Sequence, residues 1–299
     1  MIYTNRLGLP ESYVRAVEKA GKYSHDGDIG VTSLISPPRV FQLRKRHAEK
    51  LTADVSEWNV QMAFEGTALH EALAAGAGPQ DIVKKRFYVE RAGWKVTGEP
   101  DLLEPDGKLT DWKRTSVWSV ILGGKKEWEQ QLNLYGLLLR ENKLEVKEGQ
   151  VVAFLRDWSA AAAKRDPAQY PQESPLKVSI KMHTPEVQER LLEHRLKVHQ
   201  EAAGLADDAL PECTAEERWE KPATWAVMPE GRKRSKANYT IPKHGEDAEA
   251  QAEERARQEG GVVQYRPGES VRCANYCPVR HICPVGQAAM RAKAGGGEE

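Results

Sequence analysis

The sequence lacks the features that mark membrane proteins, exported proteins and ATP-driven motors. Residues 1–10 contain no apolar core of the kind found in secretory signals, and the longest apolar run, near Leu134–Leu139, is too short to span a bilayer. No phosphate-binding loop of the form G-x-x-x-x-G-K-[S/T] occurs, so the chain has no recognisable ATP motor of its own. We therefore expect a cytoplasmic protein with no membrane partner.

Net charge is also missing, because 44 Lys and Arg residues balance 44 Asp and Glu residues. A nucleic-acid partner must then be bound by local basic patches, and this balance disfavours passive coating of nucleic acid. Hydrophobic residues at 40% and charged residues at 29% are ordinary for a soluble protein. The 299 residues suffice for one large domain or two small ones.

Cysteine is scarce, and its few copies are clustered. Cys273, Cys277 and Cys283 lie within eleven residues, and Cys213 is the fourth and last. Without an export signal we expect no structural disulfides, so the spacing indicates thiolate ligation of an iron–sulfur cluster or a structural Zn²⁺. His281 keeps zinc open, and ordinary buried thiols are the plainer alternative.

The stretch most indicative of chemistry is Gly98–Thr115, which reads G-E-P-D-L-L-E-P-D-G-K-L-T-D-W-K-R-T. Its middle, Pro105–Gly107, has proline, aspartate and glycine where a type I turn closing on a glycine bulge needs them. The sequence therefore predicts a β-hairpin with a three-residue loop, in which Glu104 faces Lys108.

Counting back along both strands of this hairpin places Asp101 directly opposite Asp111. Because strand side chains alternate, Lys113 shares the face of Asp111 while Trp112 points the other way. Two opposed carboxylates, with Cβ atoms roughly 5 Å apart, repel each other unless a cation such as Mg²⁺ lies between them. The plainer alternative is a solvated hairpin with an ordinary charge cluster.

These residues resemble a known family. G-x-P-D followed by D-W-K resembles motifs II and III of the PD-(D/E)XK nuclease superfamily, and Asp101, Asp111 and Lys113 match its pattern one by one. Upstream, Gly66–His70 (G-T-A-L-H) resembles the histidine motif of the RecB-like branch. Downstream, Gln131–Tyr135 resembles its Q-x-x-x-Y helix.

The resemblance implies a metal-dependent active site. His70, Asp101, Asp111 and the backbone carbonyl of Trp112 would hold the metal, and Lys113 would act on the attacking water or the transition state. Asp101, Asp111 and Lys113 are the implied catalytic residues. An oxygen-rich site with one imidazole suits Mg²⁺ or Mn²⁺, and Mn²⁺ tolerates the nitrogen better.

The resemblance also implies residues that contact DNA. Gln131 and Tyr135 share one helix face and would position DNA, although a core tyrosine with a hydrated hydroxyl is the alternative. Arg114, Arg44 and Arg46 are the candidate phosphate-binding cations. For Arg44 and Arg46, a solvated helix face is the alternative.

We expect an α/β protein with a PD-(D/E)XK restriction-endonuclease-like core, in which helices flank a central mixed sheet. The core would span 31–206, after an N-terminal arm at 1–30. A small cysteine-stapled lobe would span 207–286, and a disordered tail 287–299. Periodicity predicts helices at 11–22, 39–50, 57–75, 125–142, 184–204 and 245–259, and strands at 86–91, 94–103, 109–115, 151–156 and 176–183. The first three strands would form a meander, and the fourth would follow its helix as a parallel crossover.

The cysteine trio also resembles the iron–sulfur staple of RecB-like nucleases such as AddB and the CRISPR-associated RecB-like exonucleases. In those proteins the first cysteine usually precedes the nuclease motifs, so here Cys213 would have to substitute for it. The Cys273-x₃-Cys277 spacing is one residue longer than the commoner form. A structural 4Fe–4S cluster is the preferred hypothesis, with Zn²⁺ as the alternative.

The first functional hypothesis is a Mg²⁺- or Mn²⁺-dependent DNA exonuclease that hydrolyses phosphodiester bonds through a metal-activated water. Its partners would be single-stranded or duplex DNA ends and, in addition, recombination or replication proteins. Recombination, phage genome processing and CRISPR adaptation are all compatible roles. The alternative is a non-catalytic DNA-binding or assembly module that retains the nuclease fold and holds structural zinc.

Overall fold

The computed structural model describes residues 1–22, 26–229, 231, 235–245 and 247–295. The chain forms two compact units. The first unit consists of Met1–Phe41 and Thr52–Ala209, and the second of Gln42–Leu51 and Leu210–Glu299. The second unit therefore includes a segment from the N-terminal part of the chain as well as the cysteine region.

Helices and strands alternate in the N-terminal two thirds of the chain. In order they are β1 (Ile2–Thr4), α1 (Glu11–Gly21), β2 (Ile29–Gly30), α2 (Val31–Leu34), α3 (Pro38–Arg46), β3 (Thr52–Asp54), α4 (Trp58–Ala75), β4 (Phe87–Arg91), β5 (Trp94–Gly98), β6 (Leu102–Leu103), β7 (Lys108–Thr115), α5 (Trp118–Ile121), α6 (Lys126–Glu141), β8 (Glu148–Leu155), α7 (Ala160–Arg165), β9 (Leu176–Ile180) and α8 (Pro185–Ala203). The remaining elements are β10 (Glu220–Lys221), β11 (Thr224–Met228), β12 (Ala237–Thr240), α9 (Ile241–His244), α10 (Asp247–Glu259), β13 (Val262–Arg266), β14 (Glu269–Ser270), α11 (Val271–Asn275) and α12 (Pro284–Gly295).

A four-stranded mixed sheet, in the order β6-β7-β8-β9, forms the centre of the first unit. β7 and β8 are parallel, whereas both outer strands run antiparallel to their neighbours. α6 connects the two parallel strands and buries a row of leucines against the sheet, and α8 packs on α6. This arrangement confirms the predicted α/β core with a mixed sheet flanked by helices.

The predicted three-stranded meander is wrong. The stretch predicted as one strand at 94–103 is two strands: β5 pairs with β2 and β4 in a separate sheet, and β6 pairs with β7. The interruption falls at residues 99–101, where Pro100 has no N–H to donate to a ladder. Just before it, Gly98 lies so close to α6 that a Cβ atom would be 2.8 Å from Cε1 of Tyr135.

Residues 1–30, predicted as an arm, are part of the first unit. β1 pairs in parallel with β3, and α1 packs on α4 around a small core of Val17, Val55 and Val60. Asp54 holds the N-terminal residues against β3, because its Oδ2 accepts hydrogen bonds from the Thr4 hydroxyl and the Arg6 amide.

The second unit contains a sheet that the sequence pattern did not predict. β12, β11 and β13 form an antiparallel sheet, and α10 covers it by packing Ala252 and Ala256 on Val227. α12 replaces most of the predicted disordered tail, because proline suits the first position of a helix and the alanine-rich run that follows favours helix. Residues 296–299 lie outside the described residues. No helix among the described residues is both long and apolar enough to cross a membrane.

A buried histidine joins α8 to the end of α2. His199 is fully buried, and its Nε2 lies 3.0 Å from the carbonyl oxygen of Leu34, to which it donates. The same oxygen accepts a hydrogen bond from Nε of Arg195 at 2.8 Å. Burial and the nearby Arg195 charge lower the pKa of His199 to about 4, so this imidazole is neutral in the folded protein at neutral pH.

We expect the free energy of unfolding to fall as the pH drops from about 6.5 toward about 4, because in this range His199 binds a proton in the unfolded chain but stays neutral in the folded protein. The contribution of this residue is fully present above pH 6.5 and is lost at up to about 1.4 kcal/mol per pH unit below it. Chemical denaturation across this range should show the loss in the wild type. A His199→Gln variant, which retains a donor for Leu34 but does not titrate, should show a flatter dependence, and parallel curves would contradict this account.

Candidate active site

The hairpin loop has the predicted geometry. Gly107 has a φ of +89°, in the region that favours glycine, and its N–H donates to the carbonyl oxygen of Glu104 at 3.0 Å. The amide of Glu104 donates to the carbonyl oxygen of Lys108, also at 3.0 Å. Asp106 accepts a hydrogen bond from the Lys108 amide at 3.1 Å. The turn residues therefore fix how the two strands are aligned.

The register that results brings two carboxylates together. Leu102 faces Thr110, and the same register continued by one residue places Asp101 opposite Asp111, as predicted. Asp101 directly precedes β6, which begins at Leu102. Its Oδ2 accepts a hydrogen bond from the backbone N–H of Trp112 at 2.8 Å.

His70 completes this side of the site from α4. Its Nδ1 lies 3.1 Å from Oδ1 of Asp101, and its Nε2 lies 2.9 Å from the carbonyl oxygen of Trp112. Burial alone would lower the pKa of His70, but the hydrogen bond to Asp101 and the charges of Asp101 and Asp111 raise it above its ordinary value. The structure thus brings together His70, Asp101 and the Trp112 carbonyl, which are three of the four predicted metal ligands.

Asp111 is the buried member of the group, with 2% of its surface exposed. Burial raises the pKa of its carboxyl group; the Lys113 ammonium opposes the shift and the Asp101 charge adds to it. Its Oδ2 lies 2.7 Å from Nζ of Lys113, yet it accepts no well-directed hydrogen bond from any described residue. An under-satisfied buried carboxylate oxygen is a position where a bound cation is stabilising.

Lys113 is held from the other side by α6. Its Nζ donates to Oε1 of Gln131 at 2.9 Å, and Nε2 of Gln131 donates to the hydroxyl of Tyr135 at 3.1 Å. Both α6 side chains are buried, and burial, followed by the Asp111 charge, raises the pKa of Tyr135. The predicted DNA-positioning residues therefore face the lysine, and contact between them and DNA stays a prediction.

Two residues that the sequence analysis did not assign support this arrangement. Gly98 leaves the space that the Tyr135 ring occupies, and the side chain of Thr32 hydrogen-bonds with the Tyr135 hydroxyl. The glycine was part of the G-x-P-D motif, but its reason became visible only with the packing of α6. Nothing in the local sequence around Thr32 indicated this contact.

The candidate DNA-binding arginines lie in different places. Arg114 points to the opposite face of the sheet, where Nη2 lies 2.6 Å from a carboxylate oxygen of Glu65 and Nη1 donates to the sulfur of Met62. Arg44 is exposed and Arg46 half-buried, and both lie on the part of α3 that belongs to the second unit.

Within the described residues, no group of three or more His, Cys, Asp or Glu side chains is arranged so that it could hold a metal ion. In the first unit, Asp101 contacts His70 and Asp111 contacts Lys113.

The four cysteines belong to the second unit, and none forms a disulfide. Cys273, Cys277 and Cys283 are buried and Cys213 is half-buried. Burial raises the pKa of the Cys213 thiol to about 12. The charges of Glu217, Cys277 and Cys273 raise it further, whereas the charge of Arg272 opposes the shift.

Comparison with known proteins identifies the class. A family model described as the PD-(D/E)XK nuclease superfamily matches residues 17–284. Because this match spans most of the chain, the chain belongs to the PD-(D/E)XK nuclease superfamily, whose members are metal-dependent nucleases that act on DNA. A solved structure described as "Crystal structure of SSO0001" is 15% identical and covers 63% of this chain and 84% of its own, with a TM-score of 0.43. Comparison with curated proteins gives no match.

We expect Gly98→Ala to destabilise the first unit by about 1–3 kcal/mol, because its Cβ would overlap the Tyr135 ring and Leu138. Gly66→Ala is the matched control: a Cβ at this helical position meets no atom within 4 Å, so stability should stay equal or rise by up to about 1 kcal/mol. Chemical unfolding of both variants measures the difference. Equal effects of the two substitutions would contradict the packing argument.

Proposed function

We propose that this chain is a metal-dependent DNA exonuclease of the RecB-like branch. The observation that carries the proposal is the convergence of Asp101 and Asp111 across one strand pair, with Lys113 beside them and His70 in contact with Asp101. A buried carboxylate, an opposed carboxylate and an ammonium group on one side of a sheet are the charges that phosphodiester hydrolysis requires.

Mg²⁺ or Mn²⁺ would be held by Asp101, Asp111, His70 and the carbonyl oxygen of Trp112. The under-satisfied Oδ2 of Asp111 and the nearby imidazole supply a donor set of hard oxygens with one nitrogen, which suits these ions. When bound, the ion supplies an attacking water of lowered pKa and stabilises charge on a phosphoryl oxygen.

Lys113 is the catalytic cation of the chain. An ammonium group has three N–H donors; that of Lys113 donates to Gln131 and forms an ion pair with Asp111, and it can in addition donate to a water or a phosphoryl oxygen. In that position Lys113 orients the attacking water or offsets negative charge that develops on the phosphate. Gln131 and Tyr135 position Lys113, and they contact DNA as a second role.

The DNA substrate would be a single-stranded or duplex end. Arg114, Arg44 and Arg46 would contact its phosphates, and the side chain of Arg44 is exposed. Recombination or replication proteins are the partners that fit an end-directed nuclease without an ATP motor of its own.

The second unit would hold a structural 4Fe–4S cluster on Cys213, Cys273, Cys277 and Cys283, with Zn²⁺ as the alternative. The support is that four thiols outside any disulfide, three of them buried, share a unit whose sheet core is small. A metal centre stabilises such a unit because its binding free energy adds to the free energy of folding.

We expect Asp111→Asn to reduce DNA cleavage by about a hundredfold or more while the chain stays folded. The measurement is release of label from end-labelled single-stranded and duplex DNA, with Mg²⁺, with Mn²⁺ and with a chelator; closed circular DNA should resist an exonuclease. Asp106→Asn is the control, because Asp106 lies in the exposed hairpin loop and touches only Lys108. Full activity of Asp111→Asn would refute the site, and DNA binding by the wild type without cleavage of any substrate would favour the non-catalytic alternative.

For the second unit we expect a brown protein after anaerobic purification, with about four iron atoms per chain and visible absorbance that a chelator removes. Cys277→Ser should lower the iron content and the thermal stability. A colourless protein with stoichiometric zinc would replace the cluster with the zinc alternative, and a stable protein with neither metal would reject both.

A further inference from the structure

A short apolar turn faces the solvent directly after the strand that carries Lys113. On α5 and its flanks, Val117 is buried and Val120 and Ile121 pack against the core of the first unit. Trp118, in contrast, is 60% exposed and Leu122 is 78% exposed. The two are four residues apart and therefore share a face of the turn. This pair, Trp118 and Leu122, is called the exposed pair below.

The turn that carries the exposed pair is fixed. The carboxylate of Asp157 accepts hydrogen bonds from the Ser116 hydroxyl at 2.6 Å and from the Val117 amide at 2.7 Å. The Thr115 hydroxyl donates to the hydroxyl of Ser119 at 2.8 Å. The indole is thus presented from a rigid base, so a ligand that stacks on it loses little of its binding free energy to ordering of the protein.

The exposed pair follows the carboxyl end of β7, the strand that carries Lys113. β7 and β8 are parallel, so their carboxyl ends, Thr115 and Leu155, lie side by side at the same end of the sheet. Arg156 follows directly; its amide donates to the carbonyl oxygen of Thr115 at 2.9 Å, and its side chain is exposed. An exposed cation and an exposed indole therefore follow the adjacent carboxyl ends of β8 and of β7, the strand that carries Lys113.

The sequence around the exposed pair is basic, because residues 112–126 contain four Lys and Arg residues but no Asp or Glu. Lys113 is paired with Asp111 and Arg114 with Glu65, so these two cations are already compensated. Arg156, by contrast, has an exposed side chain, and the nearby carboxylate of Asp157 is engaged by the turn itself. Proteins bind unpaired nucleic acid with an exposed aromatic ring and an exposed cation, because bases stack on the ring while phosphates meet the positive charge.

We propose that Trp118, flanked by Leu122, stacks against an unpaired base of the DNA strand that enters the active site. The proposal rests on the proposed nuclease function, which supplies the DNA strand. It assigns to the exposed pair a ligand class, the nucleobase of single-stranded DNA, and makes Trp118 a substrate-positioning residue of the first unit.

The test measures binding in an Asp111→Asn background, so that it does not depend on cleavage. Short single-stranded oligonucleotides carry the fluorescent base 2-aminopurine at one position at a time, and stacking on an indole quenches its fluorescence. Adding Trp118→Ala should weaken binding about 5- to 100-fold and abolish the quenching at one position. Trp118→Phe should retain most of both effects, whereas Trp118→Leu, which keeps an apolar side chain without a ring, should behave like the alanine variant.

Trp58→Ala is the matched control, because Trp58 is 52% exposed at the start of α4 and should leave affinity and quenching unchanged. The Trp118 side chain fills no core space, so thermal unfolding of its variants should match the parent. Equal affinity of the Ala, Leu and parent proteins, or equal losses in the Phe and Leu variants, would overturn the proposal. If the wild type cleaves no DNA but quenching depends on Trp118, the nuclease assignment fails and the stacking assignment stands.

Discussion

The buried carboxylate of Asp111 is the constraint to which the rest of the site responds. An ionised carboxylate in the interior is strongly unfavourable unless a cation compensates it, and Lys113 provides that cation at 2.7 Å. Asp101 adds a second negative charge, and the imidazole of His70 lies 3.1 Å from it. Burial lowers the pKa of His70, but the hydrogen bond to Asp101 and the charges of Asp101 and Asp111 outweigh that effect and raise it. The two carboxylates, the imidazole and the lysine therefore form one interacting group.

The fold brings the charged groups of the site together from several elements, which explains the size of the scaffold around so few groups. The loop Pro105–Gly107 sets the alignment of the two carboxylates, α4 brings His70 to the Trp112 carbonyl, and α6 restrains the lysine through Gln131 and Tyr135. The alternation of strand side chains then directs Lys113 to α6 and Arg114 to α4. One strand therefore carries the lysine of the candidate site on one face and the ion pair of Arg114 with Glu65 on the other.

The sequence predicted those features that local chemistry determines. The turn residues encoded the hairpin register, and helical periodicity located α1, α4, α6 and α8 to within a few residues. The errors were all non-local. Strand pairing divided the stretch around Pro100 between two sheets. The membership of residues 42–51 in the second unit likewise depends on contacts with residues beyond 209, which no window of sequence contains.

Stability and chemistry are coupled through α6. The helix buries Leu134, Leu137 and Leu138 in the core and presents Gln131 and Tyr135 to the lysine from the same four turns. Because interiors are close-packed, a change that shifts the leucines also moves the amide and the phenol, and Lys113 moves with them. The requirement for Gly98 follows from the same coupling, since the tyrosine ring reaches its position only where the neighbouring strand has no side chain. Gly98 and the leucines of α6 therefore influence the geometry of the candidate site, because they determine where the ammonium group of Lys113 lies.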